Sequence, residues 1–233
     1  MRAMRAVVIE HEEHEGPGMI APALEAAGFQ LTRRFRQVKH EDVAAELWVV
    51  LGGPMGVYEA DQHPFLGSEL AFLAERLAVD APVWGVCLGA QLLAAAAGAE
   101  VFPGRNGFEV GAGPVRWTKA GLEDGVIAGV PPRSVVAHWH GDTFKPIPGA
   151  ELLASTDRYA QQAFRIGRSY GFQFHLELTA DEFDGWFTRN EAELLAKGKD
   201  VTELRAGLGK LRGAEPSNRA LLERLAHHFA SCA

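Results

Sequence analysis

The chain carries two cysteines in 233 residues, and one of them, Cys87, stands between Gly85 and Gly89 in "PVWGVCLGAQLLAAAAG", where an apolar run gives way to helix formers. A strand that turns at once into a helix strains the turning residue and needs small neighbours on either side. The G-x-C-x-G spacing therefore predicts an elbow that lifts a thiol clear of the backbone and sets it at a helix N-terminus. There the macrodipole and free N–H groups favour thiolate and can hold a developing oxyanion. A free cysteine is also a common buried hydrophobe, so the elbow means chemistry only if a base comes from elsewhere.

"YGFQFHLELT", Tyr170 to Thr179, supplies one. Tyr170, Phe172, Phe174, Leu176 and Leu178 alternate with Gly171, Gln173, His175, Glu177 and Thr179, a period of two that predicts a strand with an apolar and a polar face. His175 and Glu177 then share a face, roughly 6 to 7 Å apart at their bases. The carboxylate can fix one imidazole nitrogen and leave the other to serve Cys87. Alone, the strand reads better as an exposed sheet face with an incidental His and Glu; beside the elbow it reads as the base of a cysteine nucleophile.

The elements that must position these groups alternate along the first half. "MRAVVIE" (Met4 to Glu10), "FQLTRRF", "AELWVVLGG" (Ala45 to Gly53) and "APVWGV" read as strands; "MIAPALEAAG" (Met19 to Gly28) and "FLGSELAFLAERLA" (Phe65 to Ala78) read as helices. Such alternation implies right-handed crossovers and a parallel sheet with helices on both faces, its site beyond the carboxyl ends of the strands. After Gly98, "EVGAGPVRWT", "RSVVAHWH", "AELLAST" and "QAFRIG" read as antiparallel or mixed strands. From Asp181 onward helices fit best, around "DEFDGWFTRNEAELLAKG", "VTELRAGLGKLRG" and "NRALLERLAHHFASC". The boundary falls near Thr179, between an α/β body over residues 1–180 and a helical extension over 181–233 packed on the same domain.

Composition narrows the classes. The formal net charge is -7, with no run of Lys or Arg, so nucleic acid is not an expected partner. The opening "MRAMRAVVIE" is too short in apolar residues for a signal peptide, and no apolar stretch is long enough to span a bilayer. Two cysteines do not make a disulfide framework. A cytoplasmic protein with reduced thiols and no membrane association is expected.

"GVCLGAQ" and "FHLE" closely resemble the nucleophile elbow and the His-x-Glu strand of class I glutamine amidotransferases. "LGGPMGVYEAD" (Leu51 to Asp61) resembles the glycine loop that supplies their second oxyanion donor. Within the family the likeness is to stand-alone proteins similar to the amidotransferase domain of GMP synthase, which show counterparts of "EVG" (Glu109 to Gly111), "HWHGDTF" (His138 to Phe144) and "QAFRIG" (Gln162 to Gly167). It spans roughly the first four-fifths of the chain.

The resemblance implies a flavodoxin-like α/β fold with Cys87 as nucleophile, His175 as base and acid, and Glu177 as orienting carboxylate. It implies an oxyanion hole from the N–H groups of Gly53 and Leu88, and substrate contacts from Gln91, Glu109, His140 and Gln162. The reaction implied is hydrolysis of the glutamine side-chain amide through a γ-glutamyl thioester, with no metal or organic cofactor. Ala90 and Leu176 stand where many members have His and Pro; neither position supplies catalytic atoms. No P-loop or second catalytic domain is visible, so ammonia would pass to a separately encoded synthetase. Two alternatives share the same residues: a γ-glutamyl peptidase acting on peptides or conjugates, and a silent binding or regulatory protein.

Other clusters read more plainly. "HEEHE" (His11 to Glu15) lacks the i, i+4 histidines of a metalloprotease helix and reads as a solvated loop. "HWHGDT" has Thr143 where a metallo-β-lactamase-like run needs His, so a metal is not expected there; the resemblance implies a loop lining the glutamine pocket. Asn106 and Gly107 read as a turn, and the five tryptophans as core or interface.

Overall fold

Residues 3–233 are described by a computed structural model. Met1 and Arg2, which begin the stretch read as too short for a leader, lie outside the described residues. The apolar runs of the first half become four short strands, β1 (Met4–Glu10), β2 (Phe29–Phe35), β3 (Leu47–Val50) and β4 (Val83–Val86). Between them lie α1 (Ile20–Ala26) and α2 (Pro64–Ala78), and α3 (Leu88–Ala96) follows β4 directly. The later strands are β5 (Val101–Pro103), β6 (Glu109–Trp117), β7 (Arg133–His140), β8 (Asp142–Phe144), β9 (Glu151–Ser155), β10 (Ala163–Ile166) and β11 (Ser169–Phe172), with α4 (Lys119–Glu123) after β6. Four helices close the chain: α5 (Ala180–Arg189), α6 (Glu191–Ala196), α7 (Val201–Ala206) and α8 (Leu208–Ser231).

One nine-stranded sheet runs β2-β1-β3-β4-β11-β10-β9-β6-β7, and β5 pairs β8 in a separate ribbon. The pairings from β2 through β11 are parallel, and those from β11 to β7 are antiparallel. The parallel part has the flavodoxin order, in which the chain moves from β1 to β2 on one side and later returns to β3 on the other. That reversal opens a crevice at the carboxyl ends of β1 and β3.

Side-chain alternation distributes the core. Ala6 and Val8 of β1 face α1 and α8 in a cluster with Ile20, Leu24, Leu222 and Leu225, whereas Val7 and Ile9 face α2 and α3 with Trp48, Leu73 and Leu92. The helix α8 is thus a full layer on one face of the sheet. A third cluster joins Phe183, Trp186 and Phe187, at i, i+3 and i+4 on α5, to Leu194, Val201 and Leu211.

Two elements differ from the sequence reading. The strand expected over 170–179 ends at Phe172, because its parallel partner β4 stops at Val86 where the elbow begins. The chain stays extended beyond it, held by Gln173 N–H to the Gln162 carbonyl and by paired bonds between His175 and Ala137 at 2.8 and 3.2 Å. Its polar face is covered, so Gln173, His175 and Glu177 are as buried as the apolar residues between them. At the C-terminus, "NRALLERLAHHFASC" is the end of one 24-residue helix that runs through Pro216. Proline removes a single backbone donor, and the helix is held on either side of it by Leu211 in one cluster and Leu221, Leu222 and Leu225 in another.

Candidate active site

The thiol is placed by contacts that only glycine allows. Cys87 sits between β4 and α3 at φ 52°, ψ -109°, a backbone state that costs a non-glycine residue about 1–3 kcal/mol. Its N–H donates to the Phe172 carbonyl at 2.8 Å, and Gly89 N–H to the Leu51 carbonyl at 3.1 Å, which ties the elbow to both neighbouring strands. A Cβ on Gly89 would lie 1.9 Å from the Val50 carbonyl oxygen, and one on Gly85 would lie 2.6 Å from the Gly89 oxygen. The helix must therefore start hard against β3. Leu88 is its first residue, where helical N–H groups have no acceptor within the helix.

His175 faces this elbow from the extension of β11. Its Nδ1 lies 2.6 Å from Glu177 Oε1, and its Nε2 has no hydrogen-bond partner among the described residues. The Glu177 backbone is itself pinned: its carbonyl accepts from Met19 N–H at 2.9 Å, and a Cβ on Gly18 (φ 45°) would come within 2.4 Å of that oxygen. Burial is the largest influence on the imidazole and opposes its charge. The Glu177 carboxylate, as a charge and as a hydrogen-bond partner, and the nearby Cys87 sulfur more than reverse it, so the ring's pKa is held well above its ordinary value. The thiol points to the Trp139 carbonyl at 3.6 Å and accepts from Gln173 Nε2 at 3.8 Å.

Both groups open into a cavity of about 230 Å³, whose walls include Gly53, Gln91, Trp139, His140 and Trp186. A larger, more open depression of about 840 Å³ beside Asp124, Arg165 and Tyr170 shares no residue with it and holds none of this chemistry. The arrangement suits nucleophilic attack by sulfur on a carbonyl, with proton transfer through a carboxylate-oriented imidazole.

The model for the family "Glutamine amidotransferase class-I" matches residues 19–194, most of the chain. The protein is a class I glutamine amidotransferase family member. It is similar to the glutamine amidotransferase-like protein YfeJ of Salmonella typhimurium, at 31% identity over 216 residues, 87% of this chain and 90% of that one. The crystal structure of a glutamine amidotransferase from Thermotoga maritima superposes with a TM-score of 0.87 at 30% identity, covering 99% of both chains. A glutamine-hydrolysing GMP synthase of Prochlorococcus marinus is 29% identical over 169 residues, 71% of this chain but 30% of the synthase.

In this amidotransferase-family chain the residues expected to contact substrate divide into two groups. Gln91 and His140 line the cavity. Gln91 Nε2 donates to Gln173 Oε1 at 3.0 Å, so it holds the side chain that in turn donates to the thiol. Glu109 and Gln162 stand behind His140 instead: Glu109 Oε2 is 3.0 Å from His140 Nε2 and accepts from Gln162 Nε2 at 2.7 Å. Burial would raise the Glu109 carboxyl, but the His140 bond, the two histidines' charges and Thr156 keep it below its ordinary value. With His138, whose pKa burial pushes down to about 4, these residues bring three potential metal-ligating atoms within 4.8 Å of one another. The nearest Glu109 oxygen already meets His140, Gln162 and Thr156, and the cluster works as a hydrogen-bonded brace for His140.

The loop read as solvated is exposed at Glu13 and His14, but its two ends depart from that reading. His11 is fully buried, with Nε2 2.8 Å from Glu69 and Nδ1 3.1 Å from the carbonyls of Leu51 and Gly52, so it pins the glycine loop of the site. Glu15 lines the cavity itself. The missed signal is topological: this charged run follows β1 at the point where the strand order reverses. Trp139 and Trp186 likewise belong to the cavity wall as well as to the core.

Proposed function

We propose that the protein hydrolyses the side-chain amide of glutamine through a γ-glutamyl thioester on Cys87. The observation that carries this reading is one cavity holding an elbow thiol and an imidazole whose Nδ1 is tied to Glu177 while Nε2 is free. Sulfur attacks the amide carbon. The N–H groups of Gly53 and Leu88 receive the oxyanion; a Cβ on Gly53 would lie 3.2 Å from the Leu88 side chain, so the two residues abut. Loss of one such donor costs about 10²–10³ in rate. His175 gives its proton to the departing ammonia and then takes one from the water that releases glutamate, while Glu177 keeps the imidazole tautomer and stabilises the charged ring.

Support for the family's usual use of ammonia comes from the likeness to one part of GMP synthase, and we assign the ammonia to a separately encoded synthetase. Both cysteines are free thiols, which suits the reducing cytoplasm where we place the reaction. Glutamate and ammonia release from glutamine, compared between wild type and Cys87→Ala, tests the mechanism. The variant is expected to lose about 10⁴-fold or fall to background; equal rates in the two proteins would end the reading.

A further inference from the structure

The loop after β1 brings to the site a carboxylate for which the amide mechanism has no use. Three groups converge over Gly52: a Cβ built there would be 3.1 Å from Glu15 Oε2, 3.4 Å from His175 Cε1 and 3.5 Å from Cys87 Cβ. His175 is the proton donor to the departing nitrogen, so the imidazole's side of the thiol is the leaving-group side, and Glu15 stands on it. Other acidic side chains in the walls are Glu59, Asp142 and Glu193. The single lysine or arginine among the described lining residues is Lys197, and Glu193 already pairs with it at 3.4 Å. We propose that Glu15 selects the leaving group, receiving a nitrogen that departs as ammonia or a simple alkylamine and turning away γ-glutamyl peptides, whose leaving amine carries a carboxylate.

This inference rests on the γ-glutamyl thioester reading above and names its substrate class. In the step concerned, the tetrahedral oxyanion formed by attack of sulfur collapses: the carbonyl re-forms, the C–N bond breaks, and His175 gives the nitrogen the proton it took from the thiol. The free amine takes a second proton from solvent and becomes an ammonium, which Glu15 attracts. A peptide leaving group brings a carboxylate to the same place, where it meets Glu15 in a partly buried cavity; one such repulsion is worth about tenfold or more in rate.

The charge on Glu15 is itself conditional. Burial raises its pKa to about 7; His175 and His11 pull it down, and Glu12 and Glu177 push it up. Discrimination should therefore strengthen as pH rises through neutrality. Titration of His175 changes the rate on every substrate alike and cancels in the ratio.

The test is kcat/KM for glutamine, γ-glutamylethylamide and γ-glutamylglycine at pH 6 and pH 8, in wild type, Glu15→Gln and Glu15→Asp. At pH 8 the wild type is expected to prefer the ethylamide to the glycine conjugate by about tenfold or more. The preference shrinks at pH 6, is absent from Glu15→Gln at both values, and persists in Glu15→Asp. A ratio unchanged in Glu15→Gln, or a wild type with no preference at pH 8, overturns the role of Glu15 and leaves the thioester reading standing. No Cys87-dependent hydrolysis of any of the three overturns both. Should Glu15→Gln lack a melting transition, the wild-type pH series and Glu15→Asp decide.

Discussion

The floor and the roof of the cavity are built by different means. The floor, formed by β4, the elbow, α3 and the extension of β11, is set by backbone: glycine contacts too close for any Cβ, a cysteine at positive φ, and backbone hydrogen bonds from the N–H groups of Cys87 and Gly89 to the flanking strands. The roof is made of side chains. Thr179 caps α5 in a reciprocal box with Glu182, and that helix lays Trp186 edge-on to His175 with ring centroids 5.1 Å apart. Asn190 of the α5–α6 junction and Glu193 of α6 complete the wall. Backbone geometry cannot be tuned by small substitutions, whereas a wall of side chains can. Under the proposed mechanism the floor carries the chemistry, and the roof and the β1 loop are proposed to carry the choice of substrate.

If that division holds, the largest response comes from the floor. Gly89→Ala puts a methyl group 1.9 Å from a backbone oxygen of β3, and neither partner is a flexible side chain that can give way. Retreat of α3 would move the Leu88 N–H and tilt the thiol. A loss of about 100-fold or more in glutamine turnover is expected, with destabilisation of about 3 kcal/mol from overpacking. Denaturant melts and steady-state kinetics on the one variant report both. Near-normal kcat in a stable Gly89→Ala protein would show that the elbow tolerates rearrangement and break the contrast.

The roof should respond more gently and in a different constant. Trp186 is buried against His175, Trp139 and Phe183, but it carries none of the reacting atoms. Trp186→Ala leaves a void above the imidazole and admits water. KM for glutamine is expected to rise about tenfold, equivalent to about 1.4 kcal/mol of lost packing, with kcat changed only a few-fold. A fall in kcat at constant KM would instead place Trp186 with the floor, as a group that orients the imidazole.

The same division explains what could be read without coordinates. Elbow and His-x-Glu pair are local patterns: glycine spacing predicts the turn, and a period of two puts His175 and Glu177 on one face even though the strand ends at Phe172. The parallel order follows from strand–helix alternation. What was not legible depends on partners distant in sequence. Glu109 and Gln162 are 53 residues apart and reveal themselves as supports of His140 only once β6 and β7 are paired. Charge composition alone makes His11 to Glu15 look like solvated loop, because nothing within those residues tells that β1 ends at the crevice. Pro216 marks a break only if no tertiary contact holds the helix on both sides, and here such contacts exist.

Glu15 gives the smallest effect and the sharpest sign. A carboxyl whose pKa rises from 4.5 to about 7 on folding keeps, between those values, a proton that the unfolded chain has already released. Folding stability therefore falls as pH climbs through that window and levels off above it, where the cost of a buried charge is felt in full. Glutamine has no such charge to bury. The melting temperature of Glu15→Gln relative to wild type should be lowest near pH 5 and rise by a few degrees by pH 8.5. Calorimetry on the two proteins at both values measures the difference of differences, so any loss of packing common to both pH values drops out. A difference, variant minus wild type, that stays flat or falls as pH rises would mean that the carboxylate is well satisfied where it lies. It would then belong with the fixed floor, and its place in the cavity would owe nothing to substrate choice. A difference that rises with pH identifies a residue kept at the expense of stability, as expected of a group whose charge acts on what enters the cavity.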